Sequence, residues 1–217
     1  MTRVSAFRWV PPFAQGLVRD LRVRWALEEA GIAYEPWLIT QQEQKSDAYR
    51  QHQPFAQVPA FEADGVSMFE SGAIVLHIAE GSEVLMPVDP AGRARAKTWI
   101  FAALNSVEPR MSSLIEIDLF NANEDWAKAR RPAVVEALKG RLSQLSDCLD
   151  GREYLEDRFT AGDLMMTTVL RIPRHTDLVE QFPNLHAYLQ RCEARPAFQK
   201  ALADQMAPFA ENAPVAA

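Results

Sequence analysis

The 217-residue chain sets 29 acidic against 23 basic side chains, a formal net charge of −6 with no block of like charge; this excludes nucleic acid or an anionic membrane as its main partner. Hydrophobic residues make up 48% and charged residues 24%, ordinary globular usage that excludes a disordered chain. Met1–Val10 carries Arg3 and Arg8 and lacks an apolar run long enough for a signal peptide, and no later segment has the length of a membrane span, so a soluble, cytoplasmic protein is expected. Cys148 and Cys192 are the only cysteines; their wide separation offers no disulfide framework and no Cys-x-x-Cys motif, and both are read as packing residues.

In chain order, Val4–Val10 predicts a strand that Pro11 and Pro12 interrupt. Leu17, Leu21, Trp25 and Leu27–Ala30 follow with helical spacing until Gly31 stops them. Tyr34–Ile39 predicts a second strand and Ser46–Gln51 a short, poor helix. Val58–Glu62 and Val66–Phe69 predict a hairpin around Ala63–Asp64–Gly65, because Asp-Gly is a strong turn signal. Ser71–Glu80 has helical spacing again, with Ile74, Leu76, His77 and Ile78 along it, so residues 1–80 read βαβαββα.

Residues 81–90, with prolines 87 and 90 and no helical period, are expected to form an interdomain linker. Beyond them, 91–217 predicts an all-α domain, a helix bundle. One long helix is expected from Ala91 to about Leu119 and another over Asp125–Leu149, with Pro132 tolerated near its start. Thr160 and Asp163 form a variant capping box that starts a helix running to Pro173. Two more helices are expected over Pro183–Glu193 and Pro196–Ala203, and the tail Ala207–Ala217 is expected to fray. Met165 and Met166 read as core. His77, His175 and His186 have no metal-ligand spacing, and no metal is expected.

Five segments in order resemble the glutathione transferase family: Arg22–Glu35 its first helix and entry to the second strand, Pro54–Phe61 its Val-Pro strand, Phe69–Ile74 its Glu-Ser turn, Thr160–Asp163 its buried capping box, and Phe182–Leu185 with Ala194–Phe198 its closing helices. The resemblance implies a thioredoxin-like α/β domain followed by an all-α domain, a homodimer, and glutathione as co-substrate. It further implies a cis peptide bond at Val58–Pro59, with the Val58 backbone pairing glutathione's cysteinyl backbone as an added strand. Ser71 would cap the helix that follows, the N–H groups there would hold the γ-glutamyl carboxylate, and Glu70 would pair with the ligand's ammonium. Gln57 is placed to reach the glycyl end, where Lys45 or His52 would add charge, and Trp99 would line the pocket of a hydrophobic electrophile.

The chain departs from the pattern where family members place a Tyr, Ser or Cys at the sulfur. From Ala6 through Arg24 there is no Ser, Thr, Tyr or Cys, and Leu17 or Val18 falls near the expected position. The replacements expected are the first-helix N-terminus around Gly16–Leu17 together with Arg19, Gln15 or Trp9. An enzyme conjugating glutathione to small electrophiles in detoxification, and a glutathione-binding recognition or assembly module without catalysis, both remain open. A redox variant finds no cysteine in the N-terminal half.

Overall fold

The computed structural model describes residues 1–214. Two units divide it: Met1–Met86 together with the chain from Arg195 onward, and Pro87–Ala194. The first contains β1 (Arg3–Phe7), α1 (Asp20–Ala30), β2 (Glu35–Ile39), α2 (Asp47–Arg50), β3 (Ala60–Ala63), β4 (Val66–Phe69) and α3 (Ser71–Glu80). The expected βαβαββα order is thus present, in a four-stranded sheet of order β2-β1-β3-β4. β1 runs parallel to β2, and β3 runs antiparallel to both β1 and β4.

Local chemistry explains most of these elements. Asp64 and Gly65 both take positive φ, 49° and 81°, which is what a two-residue hairpin turn demands and what Asp-Gly supplies at little strain. β1 stops at Phe7 rather than reaching Val10, and the segment before α1 winds through turns, with Ala14 N–H on Pro11 O at 2.9 Å and Leu17 N–H on Ala14 O at 3.0 Å. Ser46 caps α2 through Tyr49 N–H. α1 is buried almost all round, its charged Asp20, Arg22 and Arg24 as well as Leu21, Val23, Trp25 and Leu27; β1, α3 and the C-terminal helix all contact it.

That C-terminal helix is α9 (Pro196–Glu211; α4 to α8 follow below), and it corrects two expectations. It continues past Ala203 to Glu211, through the stretch expected to fray; residues 215–217 lie outside the described ones. It also belongs with the first unit rather than with a domain spanning 91–217. The reason is a set of contacts to α1: Arg195 grips Glu29 with two bonds of 2.6 and 2.7 Å, Phe198 meets the Trp25 ring edge-on at 4.8 Å, and Gln205 Nε2 donates to Asp20 Oδ1 at 2.7 Å. Pro208 inside the helix removes the N–H that Asp204 C=O would receive; Arg24 Nη1 donates to that carbonyl instead, at 3.4 Å.

The second unit holds α4 (Pro90–Ala102), α5 (Glu108–Ile115), α6 (Asp125–Cys148), α7 (Ala161–Leu170) and α8 (Pro183–Glu193). Its boundary at Pro87 lies inside the expected 81–90 linker, and α4 begins at Pro90, with Asp89 as its cap. The long helix expected over 91–119 is interrupted by two π-helical turns, Ala103–Val107 and Glu116–Phe120. Pro109 accounts for the first, because it brings no N–H to Asn105 C=O and the ladder widens, Glu108 N–H bonding Ala103 C=O. α7 is buried along its whole length, Met165 and Met166 included. Gly162 is required there: a Cβ would lie 2.5 Å from Trp99 Cβ. Cys192 is buried as expected, but Cys148 is exposed at the end of α6, which overturns its reading as a packing residue. No helix among the described residues is long and apolar enough to cross a membrane.

Candidate functional site

The hairpin's register assembles the site. Ala60 pairs with Phe69 at its open end, so the residues just outside the ladder, Val58–Pro59 on one arm and Glu70–Ser71 on the other, come side by side. The Val58–Pro59 bond is cis. Val58 and Pro59 are buried, and Val58 joins Ile39, Tyr49 and Ala60 in an apolar cluster against which Phe7, Val18 and Trp37 pack.

A buried hydrogen-bond chain fixes this arm. Tyr49 OH donates to Gln57 C=O at 2.7 Å, Ser5 Oγ donates to Tyr49 Oη at 2.7 Å, and Ala60 N–H donates to Ser5 Oγ at 2.6 Å. Each hydroxyl both gives and receives, so no donor is stranded in a core position. Burial pushes the Tyr49 phenol above its ordinary pKa, against the bonds from Ser5 and the backbone, and it stays a neutral donor. Gln44 Nε2 holds Ala56 C=O at 2.6 Å. The Gln57 side chain is exposed beside this anchored backbone.

On the other arm the structure corrects the role given to Ser71. The capping position is Glu70, at φ 70°, and its side chain makes no capping bond; Ser71 is the first helical residue. Ser71 is buried and its Oγ accepts from Arg22 Nη1 at 3.2 Å. The opening turn of α3 therefore has no side-chain oxygen on its N–H groups, an arrangement that attracts an anion. Arg22, itself buried, was missed by sequence reasoning.

The remaining expected residues are spread more widely. Trp9, Gln15 and Arg19 lie on the segment joining β1 to α1: Gln41 Nε2 donates to Trp9 C=O at 2.7 Å, Gln15 Nε2 donates to Val10 C=O at 3.0 Å, and exposed Arg19 precedes the helix. Gln15 is thus employed in shaping the segment. Leu17 N–H, expected as part of a helix-terminus site, already serves Ala14, whereas Val18 N–H has no hydrogen-bond partner among the described residues. His52 is engaged elsewhere, its Nδ1 on Glu62 Oε1 at 2.9 Å and its ring against Trp37 at 4.9 Å; Lys45 is exposed. Trp99 lies in the second unit, its indole N–H donating to Glu156 at 3.1 Å.

Residues 15–80 match the family model for the glutathione S-transferase N-terminal domain, and residues 110–196 match that for the C-terminal domain. Glutathione S-transferase 3 of Zea mays is 30% identical over 200 residues, covering 84% of this chain and 88% of the relative, and glutathione S-transferase F13 of Arabidopsis thaliana is 27% identical over 199 residues, covering 82% and 88%. A crystal structure of a glutathione transferase from Burkholderia graminis, with two glutathione molecules bound per subunit, superposes with TM-score 0.81 at 26% identity, covering 93% of this chain and 87% of that one. Glutathione transferase F7 of Populus trichocarpa shares the fold at TM-score 0.80 and 23% identity, covering 95% and 99%. The chain therefore belongs to the glutathione S-transferase family.

Proposed function

We propose that the chain binds glutathione at the open end of the β3–β4 hairpin and conjugates its thiolate to small hydrophobic electrophiles. The observation that carries this reading is the pairing of Val58–Pro59 with an α3 N-terminus that has no side-chain cap. The γ-glutamyl carboxylate would accept from the first N–H groups of α3 and from Ser71, Glu70 would receive the ammonium, and the Val58 backbone would pair the cysteinyl unit. Gln57 would reach the glycyl end. In the reaction the thiolate sulfur forms a bond to the electrophilic carbon, the leaving group departs with its electron pair, and the thiol proton passes to solvent.

Calorimetry with glutathione, followed by turnover of an aromatic electrophile, tests the reading. Replacing Ser71 by Ala removes a hydrogen bond to a charged group and is expected to weaken glutathione binding about tenfold or more; equal affinity in the variant would place the ligand elsewhere.

A second reading, a binding module without catalysis, is favoured by one observation: where relatives would carry a hydroxyl or thiol, Val18 packs its side chain into the cluster around Val58. A free thiol near pKa 8.5 is only a few per cent ionised at pH 7, so a transferase must supply stabilisation. The Val18 N–H and the Arg19 charge would do so in the enzyme reading. Titrating the thiolate absorbance of bound glutathione separates the readings. A pKa below that of free glutathione, raised again by Arg19→Ala but not by Gln15→Ala or Trp9→Phe, is expected for the enzyme; an unshifted pKa would favour the module. The protein is further proposed to be a cytoplasmic homodimer, and sedimentation giving a 24.4 kDa species would reject the dimer.

A further inference from the structure

We infer that Arg22 is a positioning residue for recognition of glutathione's γ-glutamyl α-carboxylate, acting through the Ser71 hydroxyl. This rests on the glutathione reading above and assigns a role to a residue outside the Val-Pro and Glu-Ser elements. Arg22 projects from α1, and its Nη1–H donates to Ser71 Oγ at 3.2 Å, both side chains being buried. A guanidinium carries only donors. By taking a lone pair of Oγ it leaves the Ser71 O–H to point away, in a position where no carbonyl of the preceding turn precedes it in the helix. The rotor is then set to donate toward an anion at the head of α3, rather than to turn inward. Glu70, at φ 70°, makes no side-chain bond to the helix end, so an incoming carboxylate would meet the opening N–H groups of α3 and an already oriented hydroxyl. Preorganised donors of this kind lose little freedom on binding and discriminate against ligands lacking the acceptor.

The test compares three ligands on the full chain: glutathione, its analogue lacking the γ-glutamyl α-carboxylate (γ-aminobutyryl-cysteinyl-glycine), and its analogue amidated at the glycyl carboxylate. In the parent, loss of the α-carboxylate is expected to weaken binding about tenfold or more. Arg22→Gln is expected to weaken glutathione about tenfold while leaving the decarboxylated analogue unchanged, and to weaken the glycyl amide by the same factor as glutathione. A similar loss for all three ligands would mark Arg22 as merely structural, and no loss for any would also overturn the inference. Adding Arg22→Gln to Ser71→Ala should cause no further loss, because the path runs through Ser71; a full additional tenfold would refute that path. Should Arg22→Gln fail to fold, Arg22→Lys, which keeps charge and a single-point donor, is expected to show a smaller, still carboxylate-dependent loss, and a carboxylate-independent loss there would overturn the inference. No glutathione binding by the parent itself would reject the glutathione reading, an outcome distinct from every variant effect.

Discussion

Asp163→Ala is expected to destabilise the Pro87–Ala194 unit by about 3–5 kcal/mol, well beyond the ~1 kcal/mol of an ordinary helix cap. The carboxylate is fully buried and has four donors: Leu155 N–H at 2.9 Å, Thr160 N–H at 2.8 Å, Thr160 Oγ1 at 3.1 Å and Tyr188 OH at 3.0 Å. Truncation leaves two backbone amides without an acceptor and without water, each worth about 1–3 kcal/mol, and leaves Tyr188 OH only the Asp163 C=O at 3.4 Å. Urea unfolding should show a large drop in midpoint, and a midpoint equal to the parent's would refute the role. Asp163→Asn retains the shape but turns an NH2 toward at least one of these donors, so it should recover little. Burial holds the Asp163 carboxyl above its ordinary pKa, against the pull of its four donors. A carboxyl raised in the folded state stabilises most fully below its unfolded pKa, and the contribution is lost as pH rises through the raised value. The stability gap between parent and Asp163→Asn should therefore widen as pH falls from 7 toward 4; a narrowing gap would show that the donors, not burial, govern the ionisation.

Elements set by local chemistry were legible from the chain alone. Asp64–Gly65 dictates the hairpin, Pro183 opens α8 at its first turn, and Thr160 with Asp163 opens α7. What was not legible depends on partners far along the sequence. The Ala207–Ala217 tail reads as frayed, yet α9 passes through Pro208 to Glu211 because Arg24, distant in the chain, donates to the carbonyl that the proline leaves without a bond. The same contacts reassign α9 from the helical unit to the sheet unit. Pro109 acts in the opposite sense, since its neighbours accommodate it by widening the turn instead of stopping the helix, and a periodicity of 3.6 cannot anticipate that.

The site divides in the same way. Val58–Pro59 and Glu70–Ser71 were singled out by the family resemblance, and the hairpin register, itself readable from Asp64–Gly65, brings the two pairs side by side. Arg22 was not, because charged residues on a predicted amphipathic helix are read as its solvated face. α1 has no such face: α3 and α9 both pack on it, and Asp20, Arg22 and Arg24 are buried with the apolar residues. The available signal was their spacing. Asp20 and Arg24 lie one turn apart, able to pair, and Arg22 sits between them, flanked by Leu21 and Val23. A short run alternating charged and apolar residues within a helix is compatible with a fully enclosed one only when each charge has a partner.

Asp20→Ala is expected to cost about 3–5 kcal/mol, because it leaves a buried guanidinium without its counter-charge. The Asp20 and Arg24 side chains are each 1% exposed, and Arg24 Nε lies 2.7 Å from Asp20 Oδ2. Burial alone would lower the Arg24 pKa, but the charge and hydrogen bond of Asp20 overcome it and hold the group above its ordinary value. The pair also anchors α9: Asp20 Oδ1 accepts from Gln205 Nε2, which donates to Val18 C=O at 3.0 Å as well. Loss of the carboxylate should thus loosen α9, and limited proteolysis should cut within 196–211 faster than in the parent. The two partners are not equivalent. Arginine cannot shed its proton, whereas the Asp20 carboxyl, already pushed upward by burial, can take one up. Arg24→Met, which keeps the bulk and leaves a carboxyl able to neutralise, is therefore expected to be less damaging than Asp20→Ala, the difference growing as pH falls. The double variant should be more stable than Asp20→Ala alone, retaining the deficits from the lost Asp20–Gln205 bond and from Asp204 C=O, which then has neither the Pro208 N–H nor Arg24. A double variant as unstable as Asp20→Ala would show that the lost contacts to Gln205, and not the uncompensated charge, hold α9 in place.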